Sequence, residues 1–159
     1  VNGGSLLVIF CLLVGWWCMR SGGGRGRTGV AGHAHGGARA TIATHEAGHV
    51  VGARAVGGRV LSARMTDHGG RVEWDMTSRS LVDEVTSNVA FLRAGEYAAG
   101  TRSGCSGDRS SVKQQLRRLP SGQRGVVLRA GEQRARQIVR SRSGEIARVA
   151  DQLNQKGRL

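Results

Sequence analysis

The sequence predicts a mainly α domain with one small β-hairpin, preceded by an apolar N-terminal helix and a flexible linker. Three observations carry that expectation. Hydrophobic residues make up 39% of the 159-residue chain but aromatics only 4%, so the core must be built from Leu, Val, Ile and Ala, which favours helices over a β-sandwich. Apolar positions recur at helical spacing along most of residues 38–159. Two short segments instead flank a glycine pair, as strands of a hairpin do. The length gives room for one domain with its own core and short appendages.

Residues 6–19 are almost purely apolar, with Trp16 and Trp17 near the end and Arg20 directly after. Fourteen helical residues cover about 21 Å against roughly 30 Å of hydrocarbon, and counting from Val1 brings the segment near the lower limit for spanning. No positive charge precedes it, whereas Arg20, Arg25 and Arg27 follow. The expectation is a single-pass membrane anchor over residues 1–20, with the body in the cytoplasm and those arginines against anionic lipid heads. A cleaved signal peptide, which would want a basic start, and a misassigned start are the alternatives; Met19 is the first methionine. Residues 21–37 are glycine-rich with little to bury, and read as a tether that includes His33 and His35.

The body should begin near Ala38. A helix is expected over residues 40–56, stopping at Gly57-Gly58. Residues 59–66 and 71–75 flank His68-Gly69-Gly70 and read as the hairpin. Ser80 can cap a second helix, with Asp83 reaching back, and Leu81, Val85, Val89 and Leu92 keep its apolar spacing. A Gly- and Ser-rich loop over 100–107 leads to a third helix from Asp108 to about Leu119, ended by Pro120. Two more helices follow, over 124–142 and 144–155. Their apolar faces are Val127, Ala135, Ile138 and Val139, then Ile146, Val149, Ala150 and Leu153.

The formal charge of +13 and pI near 11.6 permit binding to nucleic acid or anionic lipid. Arg129, Arg136 and Arg140 can line one face of the fourth helix, but no aromatics accompany them as a stacking platform, so the stripe reads as a solvated face and nucleic acid as a disfavoured partner. Cys11 and Cys18 lie in the apolar segment and Cys105 stands alone in a loop, which gives neither a disulfide framework nor a Cys-rich metal site. Lys113 follows Val112 and Lys156 follows Gln155, so no P-loop is present to hydrolyse ATP.

The chemistry lies in His45-Glu46-Ala47-Gly48-His49. Two histidines four apart on a helix are separated by about 40° around its axis, so both rings leave one face. That spacing suits one zinc ion, and Glu46 is then close enough to take a proton from a metal-activated water without being a ligand. Gly48, between the two histidines, would let a neighbouring element approach closely. Two histidines alone hold zinc weakly. Asp108, His68, Glu73, Glu84 and Glu96 can each supply a third ligand, and spacing does not choose among them.

Thr44-His45-Glu46-Ala47-Gly48-His49 resembles the zinc helix of the FtsH-type membrane zinc proteases, including its Ala-Gly pair. Ala94-Gly95-Glu96-Tyr97-Ala98-Ala99 resembles a helical segment of that family, and Gly104-Cys105-Ser106-Gly107-Asp108 its element carrying the third zinc ligand. Residues 132–159 have the spacing of its terminal helix pair. The resemblance covers about residues 38–159. It implies a compact helical zinc-metallopeptidase domain, with His45, His49 and Asp108 on the metal and Glu46 as general base.

Ala99 and Gly100 stand where that family has acidic residues, and Glu96 where it has arginine, so any contact made by those groups must be replaced here. The family joins its peptidase to an ATPase that this chain lacks. The resemblance therefore implies a zinc metalloendopeptidase acting on unfolded or flexible protein segments, or one served by a separate unfoldase. A homo-oligomer is implied by the resemblance alone. The nearest rival is a zinc-binding adaptor of the same fold without proteolysis.

Overall fold

The computed structural model describes residues 34–101 and 105–159, with side chains from residue 37 onward. Among them are five helices and one two-stranded antiparallel sheet: α1 (Ala34–Ala55), β1 (Arg59–Thr66), β2 (Gly69–Asp75), α2 (Leu81–Ala99), α3 (Ser106–Arg117), α4 (Ser121–Ser141) and α5 (Ser143–Lys156). The expected mainly helical fold with a small hairpin is what forms. No helix among the described residues is long and apolar enough to cross a membrane, and the expected anchor over residues 1–20 lies outside them.

α1 is the organising element. From Glu46 to Ala53 it is buried on every side, as befits a helix at the centre of a core. α2, α4 and α5 pack around it and the hairpin covers another flank. It starts at Ala34, six residues before the expected position, and so takes in the last residues of the expected linker. It ends as the sequence suggests. Gly57, at φ 87°, donates to the Arg54 carbonyl and Gly58 to that of Ala53, a reversal that needs the left-handed region open to glycine.

The helix crossings rest on small residues. A Cβ on Gly48 would lie 2.5 Å from the Ala94 carbonyl oxygen and 2.9 Å from the Gly95 Cα, so α1 and α2 meet backbone to backbone. Gly131 gives α4 the same closeness to Val89 of α2. Ser80 caps α2 by accepting from the Asp83 amide at 3.1 Å, while its hydroxyl donates to the Asp83 carboxylate at 2.8 Å. The acid thus engages the capping hydroxyl itself.

The hairpin turns on Asp67-His68 and runs in register from Thr66–Gly69 to Arg59–Asp75, with one irregularity between Val60 and Ser62. Gly69 and Gly70, expected in the turn, instead begin β2. The far edge of β1 is paired too: Met65 donates to the Gly157 carbonyl and Leu159 to that of Ala63. Trp74 from β2 stacks on Phe91 of α2 with ring centres 4.7 Å apart, closing the core beneath the hairpin.

Candidate metal centre

One turn apart on α1, His45 and His49 project together, and their Nε2 atoms lie 3.0 Å apart. α3 supplies the third group. Asp108, in its first turn, places Oδ2 at 3.0 Å from His45 Nε2 and 3.3 Å from His49 Nε2. Of the third-ligand candidates, this is the one brought to the histidines.

The donor atoms test whether a cation fits. Edges of 3.0, 3.0 and 3.3 Å describe a nearly equilateral triangle. Bonds of about 2.0–2.1 Å to a tetrahedral zinc would set such edges near 3.3 Å. Asp108 Oδ2 is sealed from solvent, with the two imidazole Nε2 atoms as its close polar neighbours. A buried carboxylate costs several kcal/mol unless a charge compensates it, on the order of magnitude known for buried ions. Three donor atoms converging on a common point are what a metal requires.

The tautomers agree. His49 Nδ1 lies 3.0 Å from the Phe91 carbonyl, which can only accept, so Nδ1 carries a hydrogen and Nε2 is left for a cation. The ring is held between that carbonyl and the Phe91 ring, centres 4.8 Å apart. Gly95 backs it closely, since a Cβ there would fall 2.5 Å from His49 Nε2.

Without a cation, a proton takes its place. Burial alone would lower the pKa of His49, but the Asp108 carboxylate beside it, with help from Glu46, outweighs burial and lifts it from 6.5 to about 9. For Asp108 burial would raise the pKa, yet the charge on His49 holds it well below the usual carboxylate range. Glu46 goes the other way. Burial raises it above 4.5, opposed by His49 and His45 and aided by Asp108. It lies under β2, where a Cβ on Gly70 would fall 2.5 Å from its Cδ.

Glu96 is not a ligand but a clamp. Its carboxylate receives Arg93 at 2.6 Å and Arg109 at 2.7 Å, and Arg93 reaches on to Glu132 at 3.3 Å. Burial works against its charge, but those two arginines lower its pKa. Arg109 adjoins Asp108, so the clamp ties the first turn of α3 to α2 and orients the aspartate. The other candidates are spent elsewhere: His68 is exposed on the hairpin turn, Glu73 pairs with Arg71 and Ser62, and Glu84 pairs with Arg118. Ala99 and Gly100, where the resembled family has acids, form the end of α2, with Gly100 as its cap.

Cys105 is the residue sequence reasoning missed. It is buried, and its Sγ lies 3.8 Å from His45 Nδ1. His45, Cys105 and Asp108 form a group that could hold a metal ion. Burial, then Asp108 and Glu96, push the thiol up to about 11. The signal was its position three residues before Asp108, which puts the two on one side of a helix start.

On α4 the arginine stripe is exposed, and Arg136 lies over the Tyr97 ring at 5.0 Å. No protein-family model matches the chain, and no curated protein matches it.

Proposed function

We propose that this chain is a zinc-dependent metalloendopeptidase, with His45, His49 and Asp108 holding the ion and Glu46 as general base. The observation that carries the reading is the convergence of two Nε2 atoms and one buried carboxylate oxygen within 3.0–3.3 Å of one another. Zinc bound there would polarise a peptide carbonyl and lower the pKa of water.

The chain's own groups divide the remaining work. His49 is fixed by the Phe91 carbonyl, and Asp108 is steered by the Glu96–Arg109 clamp. Glu46, whose pKa burial raises above the ordinary carboxylate value, accepts a proton from the attacking water and returns it to the departing amine. The substrates in this reading are unfolded or flexible protein segments, or those delivered by an unfoldase. Tethering at the cytoplasmic side of a membrane through residues 1–20 belongs to the same proposal.

Zinc content and casein cleavage of the wild type and Glu46→Gln test it. The expected result is zinc in both and cleavage by the wild type alone. Zinc in both with cleavage by neither favours the adaptor reading, and absence of zinc from both overturns the centre itself.

A further inference from the structure

We propose that Cys105 supplies a thiolate ligand for a soft divalent cation, held together with His45 and Asp108. This position shares two residues with the hydrolytic centre proposed above but does not depend on hydrolysis.

His45 has two ring nitrogens, and the structure gives each a different neighbourhood. Nε2 faces His49 and Asp108, whereas Nδ1 faces the Cys105 sulfur at 3.8 Å. One ligand atom each from His45, Cys105 and Asp108 lie within 4.8 Å of one another. The sulfur does not stand alone as the sign of a site. It belongs to a cluster of three ligand-bearing side chains, of which Asp108 is only 4% exposed. Cys105 and Asp108 flank the first turn of α3, so one ion can bridge that turn.

The Cys105 thiol donates to the Thr101 carbonyl at 3.5 Å. Coordination releases that proton to solvent and turns the sulfur to the ion. Thiolate selects soft cations over magnesium or calcium. A cation of intermediate softness has both the imidazole pair and the thiol set to choose from, while cadmium is drawn to the thiol. Because both sets need His45 and Asp108, cadmium held by the thiol excludes zinc from the imidazole pair. The chemistry therefore makes the centre sensitive to soft metals.

The test uses the full chain carrying Cys11→Ser and Cys18→Ser, so that Cys105 is its one cysteine, titrated with Cd²⁺ alone and with Co²⁺ alone. The expected result is a thiolate-to-metal charge-transfer absorption with Cd²⁺, lost on adding Cys105→Ser or Cys105→Ala and kept on adding His49→Ala. Circular dichroism verifies that each variant is folded. Absence of charge transfer with Cd²⁺ would overturn the thiol ligand, and visible cobalt bands would then leave the His45–His49–Asp108 centre standing. No binding of either ion would overturn both.

Discussion

The two sides of α1 are built from opposite materials. Against α5 the buried contacts are apolar: Ile146, Val149, Ala150 and Leu153. Towards α3, the last turns of α2 and β2 the buried groups include Glu46, His49, Glu96 and Asp108. An apolar side chain buried from water stabilises by about 1.5–3 kcal/mol, whereas a buried charge costs energy until another charge compensates it. One side supplies the stability that the other consumes. Glu96 is satisfied by two arginines and Asp108 by two imidazoles, a donor set that could hold a cation in place of a proton.

The largest effect expected from breaking that division is on the apolar side. Leu153 is fully buried, and Leu153→Ala should cost about 2–5 kcal/mol in denaturant unfolding with chelator present. Zinc bound per folded molecule should not change. Gly95→Ala strikes the other side. Its methyl group meets a His49 ring that the Phe91 carbonyl holds in place, so a cost of about 1–3 kcal/mol is expected, reduced by up to about 1 kcal/mol of helix propensity. Unlike Leu153→Ala, it should weaken zinc binding, which competition with a chromophoric chelator would measure.

Glu96→Gln sharpens the comparison by loosening the clamp without touching a donor atom. Zinc affinity should fall roughly 10–100-fold, the range for groups that orient ligands. An unchanged affinity would make Glu96 a structural ion-pair residue only. A further effect is in pH. With His49 raised from 6.5 to about 9, its pairing with Asp108 stabilises the metal-free protein fully below pH 6.5 and is lost as pH rises through 9. The Asp108 pKa is depressed, so its contribution is present above pH 3.8 and lost on acidification. Zinc must displace the His49 proton. Its affinity should therefore rise about tenfold per pH unit between 7 and 9, while metal-free stability falls over the same interval. Parallel zinc titrations and chelated melts would show the two opposed slopes.

Much of the fold was legible because its signals are local. The α1 stop at Gly57-Gly58, the Ser80 cap and the apolar stripe of α5 are written in a few consecutive residues each. The pairing of His45 with His49 is local as well, being a matter of one helical turn. What escaped is tertiary. Glu96 looked like a ligand candidate because its partner Arg109 lies 13 residues away on another helix. Spacing left Asp108 among five candidates, and the packing of α3 against α2 is what carries its carboxylate to the histidines. Cys105 looked isolated because its neighbour His45 is 60 residues distant. The β1 edge pairing with residues 157–159 leaves no pattern in either segment.

The most direct measurement is a zinc titration of the full chain, wild type against Asp108→Ala, with folding verified by circular dichroism. Convergence of His45, His49 and Asp108 on one ion predicts one zinc per wild-type chain and an affinity loss in the variant beyond about 100-fold, more than an orienting group accounts for. Equal zinc affinity in the two proteins would contradict it.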